Sequence, residues 1–202
     1  TNKEAYGTGK GLSYLDKLYK DKTHFVYELL QNAEDAEAIR VKFVIQNNQL
    51  QFFHDGRCFN EKDVIAICNV GEGTKANDSS KIGKFGIGFK SVYRYTDAPE
   101  IHSDTEHFKI NNYVFPEKLN SKLSDKTYPT IFVLKFSGDE TECLEKKESL
   151  IHFFENFSAR DILFLNNIKS ITVETELTDT ILIKKAILDT KNDNNIRQSN
   201  IS

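Results

Sequence analysis

Glu28-Leu29-Leu30-Gln31-Asn32-Ala33-Glu34-Asp35-Ala36 is the stretch that decides the fold. At about 100° per residue, a helix here brings Glu28, Asn32 and Asp35 within an arc of about 60°. Phe25, Val26, Leu29, Leu30 and Ala33 lie opposite or beside them. Such a helix packs its apolar stripe on a sheet and turns a carboxylate and an amide toward a cleft. A carboxylate so placed can orient a water, and an amide oxygen is a hard ligand suited to Mg²⁺. A solvated polar face would leave the same pattern.

Upstream, Leu12, Leu15 and Leu18 continue at helical spacing, so Gly11 to Ala38 reads as two helices or one broken near Lys22. Downstream, Val41, Phe43 and Ile45 alternate with polar residues, Asn47-Asn48 marks a turn, and Leu50 and Phe52 resume the alternation. This spacing predicts a β-hairpin. Asn60 is placed to cap a short helix reaching Cys68, and Gly71 to Ser80 reads as a mobile loop. A helix is expected after Gly88, then strands at Glu100 to Ser103, Phe108 to Phe115 and Thr130 to Phe136. A helix over Glu140 to Phe157 and strands at Ile171 to Glu174 and Ile181 to Ile187 complete the reading. The class is α+β, a two-layer sandwich of helices on a mixed, mostly antiparallel sheet.

Three further places carry chemistry. In Gly83-Lys84-Phe85-Gly86-Ile87-Gly88-Phe89-Lys90-Ser91, glycines precede an expected helix start, where backbone N–H groups can face a phosphate. The segment is not a P-loop, because Phe89 intervenes between Gly88 and Lys90, and it lacks the third glycine of a dinucleotide fingerprint. Taken alone, it fits a plain turn equally well. His54-Asp55-Gly56 ends the second hairpin strand. Gly56 would let the backbone approach a ligand, and Asp55 could accept from an exocyclic amine, although Asp-Gly after a strand is also an ordinary turn. Thr130 opens a strand, where its hydroxyl could finish a polar pocket or simply be β-branched.

Composition bounds the alternatives. The 202 residues are 39% hydrophobic and 28% charged with a net charge of -3, which excludes a disordered chain and gives no basic footprint for nucleic acid. Cys58, Cys68 and Cys143 have neither disulfide-framework nor zinc spacing, and no apolar run reaches membrane-spanning length. A soluble, cytoplasmic domain is expected. With no methionine even at position 1, it reads as a piece of a longer chain, with residues 1–190 as the domain (core 14–136, closing helix and strands 137–190) and 191–202 as a polar tail or linker.

The ordered set, Glu28 to Ala36, His54-Asp55-Gly56, Gly71-Glu72-Gly73-Thr74-Lys75, Gly83 to Gly88 and Thr130, resembles the GHKL superfamily of gyrase, heat-shock chaperone, histidine kinase and mismatch-repair ATPases. The wording of Ile82 to Tyr93 and of His54 to Arg57 is most similar to sacsin-type and related prokaryotic chaperone-like proteins. The resemblance covers roughly Tyr14 to Phe136. It implies a Bergerat-type fold binding ATP and Mg²⁺. Glu28 would be the general base, Asn32 would hold the metal and phosphates, and Asp35 would support that face. Gly73, Thr74 and Lys75 would belong to a lid, with Thr74 and Lys75 near the γ-phosphate. Gly83, Lys84, Phe85, Gly86, Ile87, Gly88 and Phe89 would cradle phosphate, and Thr130 would close the adenine pocket.

Against the family's Asp-x-Gly-x-Gly pattern, His54 takes the first Asp position and Cys58 the second Gly. Adenine would then be read through Asp55 after a local shift, through His54, or through a water. The resemblance also implies slow hydrolysis, ATP/ADP as ligands, further domains in the longer chain and an ATP-dependent homodimer. A nucleotide-binding module without turnover is the second reading. A histidine kinase is the third, although none of His24, His54, His102, His107 or His152 sits in a phospho-accepting context.

Overall fold

The computed structural model describes residues 23–68, 88–157, 165–175 and 180–184. Helix α1 (Phe25–Asp35) leads into the hairpin β1 (Arg40–Ile45) and β2 (Gln49–His54), followed by α2 (Glu61–Cys68) and a 3-10 helix (Phe89–Arg94). Then come β3 (Glu100–Ser103), β4 (Glu106–Asn111), β5 (Phe115–Lys118), β6 (Thr130–Lys135), α3 (Glu140–Glu155), β7 (Ser170–Thr175) and β8 (Thr180–Lys184). The strands form one sheet in the order β5-β4-β3-β6-β2-β1-β7-β8. Every pairing is antiparallel except β1 with β7, so the sheet is mixed and mostly antiparallel, as expected.

The hairpin follows from its alternation. Val41, Phe43 and Ile45 pair in register with His54, Phe52 and Leu50, so all six side chains share one face. Across β2, those three pair with Thr130, Phe132 and Leu134 of β6. The row of rings this creates, Phe43 to Phe52 at 4.7 Å and Phe52 to Phe132 at 5.9 Å, is the floor on which the helices rest. Phe154 of α3 stacks 4.9 Å from Phe43, while Phe25, Val26, Leu29, Leu30 and Ala33 of α1 join the same core, fully buried. Each such Val, Leu or Phe side chain contributes about 1.5–3 kcal/mol. On the opposite face, Phe53, Ile131 and Val133 form a second, smaller cluster, with Val44 and Tyr128 packed against it.

Local chemistry sets the helix ends. At α3, Asp139 accepts from Glu142 N–H and Glu142 Oε2 accepts from Asp139 N–H, each at 2.9 Å, a reciprocal capping box. At the end of α1, Glu37 adopts φ 60° while Ala38 N–H bonds back to Ala33 O and Glu37 N–H to Glu34 O. This Schellman turn normally takes glycine at its left-handed position. Glu37→Gly is therefore expected to raise stability by about 0.5–1 kcal/mol, measured by denaturant unfolding. A loss would show that the exposed Glu37 side chain contributes more than its backbone costs.

Two sequence expectations are corrected. The segment after Gly88 is a 3-10 helix beginning at Phe89, tied by Ser91 N–H and Ser91 Oγ to Gly88 O at 3.0 and 2.6 Å. The single strand foreseen over Phe108 to Phe115 is instead a hairpin, β4 and β5, because Asn112 and Tyr113 take φ of 48° and 70° and reverse the chain.

Candidate functional site

Glu28 projects from the first turn of α1 with 28% of its side chain exposed. Burial lifts its carboxyl above the ordinary carboxylate range, partly offset by His24, whose Nδ1 lies 3.8 Å away. Gly88 lies directly against this carboxylate. A methyl at Gly88 would stand 1.7 Å from Glu28 Oε2 and 2.4 Å from its Cδ, so the contact requires glycine. One turn further along α1, Asn32 Nδ2 is buried with no hydrogen-bond partner among the described residues. A buried unpaired amide normally costs about 1–3 kcal/mol, and sites that keep one usually await a ligand or water. The packing that holds α1 over this point is Phe25 on Tyr95 of the segment after the 3-10 helix, rings 4.6 Å apart.

The sheet side of the same layer is built from the ends of β2, β6 and β3. His54, Thr130 and Ser103 sit side by side in register and are all buried. Ser103 Oγ lies 2.6 Å from Thr130 Oγ1 and accepts from Phe59 N–H at 2.9 Å. His54 Nδ1 accepts from Gly56 N–H at 3.2 Å, and its ring packs 6.0 Å from Phe52 and 6.1 Å from Phe132. Phe132 in turn touches Phe89, at 5.8 Å, directly after Gly88. A continuous run of contacts thus joins His54 to the Glu28–Gly88 approach.

Burial drops the His54 pKa to about 4, with Asp55 opposing and Arg57 assisting. The folded ring is therefore neutral, and as pH falls below about 6.5 the unfolded chain takes up the proton first. His54 should cost stability progressively from pH 6.5 down to about 4, by about 3 kcal/mol at most, and nothing further below that. Urea unfolding across this range should show the slope, and His54→Asn should flatten it.

The other expected site residues lie elsewhere. Asp35 is exposed and accepts from Gln31 Nε2 at 3.2 Å. Asp55 spends its carboxylate on the chain itself, Oδ1 accepting from Ile39 and Arg40 N–H and Oδ2 from Arg40 Nε, all at 2.8 Å. Burial would raise its pKa, but the Arg40 and Ile39 hydrogen bonds outweigh this and lower it. Gly56 admits no ligand on its Cβ side, since a methyl would meet Ala36 O at 2.5 Å and Ala38 N at 2.9 Å. Its lack of a side chain lets the turn after α1 close on β2. Phe89 is core, 1% exposed. Gly73, Thr74 and Lys75, and Gly83, Lys84, Phe85, Gly86 and Ile87, lie outside the described residues.

Sequence reasoning missed the burial of Lys90 and Glu34. Lys90 donates to Ile67 O at 2.7 Å and to Tyr113 O, closing the end of α2 onto the β4–β5 turn, and burial lowers its pKa to about 8 against a smaller opposing effect of Cys68. Glu34 accepts from the backbone N–H groups of Asn166, Asn167 and Ile168. No local signal marks either, because the partners lie 23 and more than 130 residues away in sequence.

Residues 52–126 match the sacsin domain family. Protein NO VEIN of Arabidopsis thaliana is 31% identical over 214 residues, covering 91% of this chain. Human sacsin is 36% identical over 105 residues, 44% of the chain, and the chaperone protein HtpG of Sulfurovum sp. (strain NBC37-1) is 24% identical over 209 residues, 84% of the chain. This is a sacsin-like domain related to HSP90 and the GHKL ATPases. The matched stretch of this chain spans only 8% of the length of NO VEIN, 2% of sacsin and 33% of HtpG. No helix among its described residues is long and apolar enough to cross a membrane.

Proposed function

We propose that this sacsin-like domain binds ATP with Mg²⁺ between α1 and the glycine segment that ends at Gly88. ATP would be hydrolysed slowly, with its bound state acting as a conformational or dimerisation switch in a longer chaperone-like or defence-type protein. The observation that carries the reading is the approach of Gly88 to the Glu28 carboxylate, one helical turn from the unpartnered Asn32 amide. The likeness to HtpG, named a chaperone protein, supports the chaperone-like setting.

Glu28 has the properties of a general base for water. It is half-buried, and burial raises its pKa above the ordinary carboxylate range with a smaller opposing effect of His24. Asn32 fits the metal and phosphate role, since the two ends of an amide exchange by a flip and either an oxygen ligand or an N–H donor can face the gap. When bound, Mg²⁺ would neutralise triphosphate charge there. Thr130 and His54 would line the base end, from the floor of the sheet.

Calorimetric titration with ATP tests this, with and without Mg²⁺. Binding that needs the metal and falls at least tenfold in Asn32→Ala is expected. Unchanged affinity in that variant would remove Asn32 from the site, and no binding of any nucleotide by the wild type would end the proposal.

A further inference from the structure

In a 3-10 helix side chains at i and i+3 eclipse, so the segment after Gly88 presents three ridges. Gly88 and Ser91 share the first, with Gly88 against the Glu28 carboxylate and its carbonyl held by Ser91 N–H and Oγ. Phe89, Val92 and Tyr95 share the second and are buried, Phe89 against Phe132 and Tyr95 against Phe25. Lys90 and Tyr93 share the third. Lys90 Nζ donates to Ile67 O in the last turn of α2, at 2.7 Å, and to Tyr113 O at the β4–β5 turn. Tyr93 stacks 4.1 Å from Tyr113 and donates to Ile110 O at 3.2 Å. Tyr113 stands at φ 70°, a conformation that a bulky residue keeps only where its surroundings over-determine it. Lys90 is 3% exposed. A methionine would fill the same space without the cost of burying an ammonium, so a lysine here is a tie between elements and not filler.

We infer that Lys90 is a positioning residue for the site between α1 and Gly88: its ammonium ties the 3-10 helix to α2 and to the β4–β5 turn, and so fixes the rotation that sets Gly88 against Glu28. This rests on the nucleotide-binding reading above for the catalytic meaning of that contact. Phe89 and Val92 fix how deep the helix sits, but packing against rings is non-directional, whereas two hydrogen bonds on the neighbouring ridge restrain rotation. Charge contributes as well as direction. The titratable groups facing Lys90 among the described residues are the Cys68 thiol of α2 and the phenols of Tyr93 and Tyr113. Burial lowers the Lys90 pKa to about 8 with Cys68 opposing, and burial raises those of Cys68 and Tyr93, so Lys90 changes charge before either of them. Losing the proton turns two charge-assisted hydrogen bonds into weaker neutral ones. The unfolded lysine keeps its proton up to about 10.5, so from about pH 8 to 10.5 the contribution of Lys90 to stability rises while the tie loosens. Loss of turnover in that window is then separable from loss of the fold.

The test has one arm with nucleotide and one without. Single-turnover hydrolysis of Mg-ATP by the wild type, followed from about pH 7 to about pH 9.5, should fall along a limb near pH 8 while ATP affinity stays within a few fold. Lys90→Met should turn over about tenfold to a hundredfold more slowly at neutral pH, with similar affinity and no alkaline limb. Lys90→Arg should restore most of the turnover and hold it to about pH 9.5, since a guanidinium keeps its proton there. Without nucleotide, the nuclear Overhauser contact between the Gly88 α protons and the Glu28 side chain should be present in the wild type at neutral pH and weaken both at about pH 9.5 and in Lys90→Met. Unfolding transitions check that the variants fold, and if Lys90→Met does not, the wild-type contact at the two pH values decides. An unchanged contact in folded Lys90→Met, or a flat alkaline profile in an active wild type, would overturn the inference and leave the nucleotide reading standing. A contact that weakens as expected in a protein that binds no ATP would uphold the positioning role and end the nucleotide reading.

Discussion

Replacing Glu28 by alanine should lower ATP turnover by about 10² to 10⁴ while leaving ATP affinity within a few fold. A general base acts on the attacking water, so its loss appears in turnover and not in ground-state binding. Single-turnover release of phosphate is the measurement, since it detects slow chemistry that steady-state assays would lose in background. Gly88→Ala provides an independent approach to the same atom. The added methyl would overlap Glu28 Oε2, the free end of a flexible side chain, so the carboxylate would swing aside and the fold would survive. Turnover should fall in both variants, with unfolding transitions near wild type. The acid limb of the rate should lie above the ordinary carboxylate range, because burial raises the Glu28 pKa and the active form is the ionised one. Wild-type turnover in Glu28→Ala would reassign the chemistry to another group or to none.

Much of the fold was legible because it is written in local periodicity. Alternation at Val41, Phe43 and Ile45 and again at Leu50 and Phe52 specified the hairpin, and the helical stripe of Leu29, Leu30 and Ala33 specified α1. Where backbone conformation overrode pattern, the reading slipped. Phe108 to Phe115 looks like one strand by its apolar residues, yet Asn112 and Tyr113 in left-handed conformations split it. Ser91 Oγ bonding back to Gly88 O favours a tight turn over a regular helix start.

The site was legible in a different way. The helical arc through Glu28 and Asn32 follows from spacing alone, whereas the position of Gly88 against Glu28 depends on a contact across 60 residues that no periodicity encodes. Asp55 illustrates the reverse problem. An aspartate before a glycine at a strand end has the right chemistry for a ligand, but the same geometry brings it within reach of Ile39 and Arg40 N–H groups, which the neighbouring strand end presents. The polar arc also extended to Asp35 on angle alone, and the last turn of α1 leaves that residue in solvent.

Glu34→Ala should be the most destabilising single substitution considered, with a loss of about 3–5 kcal/mol in urea unfolding. Glu34 is 7% exposed and stands on the side of α1 away from the Glu28–Asn32 arc. Its Oε1 accepts from Asn166 and Asn167 N–H, both at 2.7 Å, its Oε2 from Ile168 N–H at 3.1 Å, and its backbone oxygen from Asn167 Nδ2. These bonds hold the segment that delivers β7 alongside β1, the one parallel pairing of the sheet, which Lys169 N–H continues by donating to Ile39 O. Alanine leaves three backbone donors without an acceptor, and a buried unmet donor costs more than the net value of the bond it lost. Glu34→Gln retains an oxygen for two of the donors but turns an N–H toward the third, so an intermediate loss of about 1–3 kcal/mol is expected. Amide exchange at Asn166, Asn167 and Ile168 should accelerate before the rest of the sheet in Glu34→Gln, because the latch opens locally while the core of Phe43, Phe52 and Phe132 stays packed. A loss below about 1 kcal/mol in Glu34→Ala would mean that the 165–168 segment holds its place without the carboxylate. In that case the tie between the helix and the parallel edge of the sheet would have to come from apolar packing in the core that α1, β1 and β7 share.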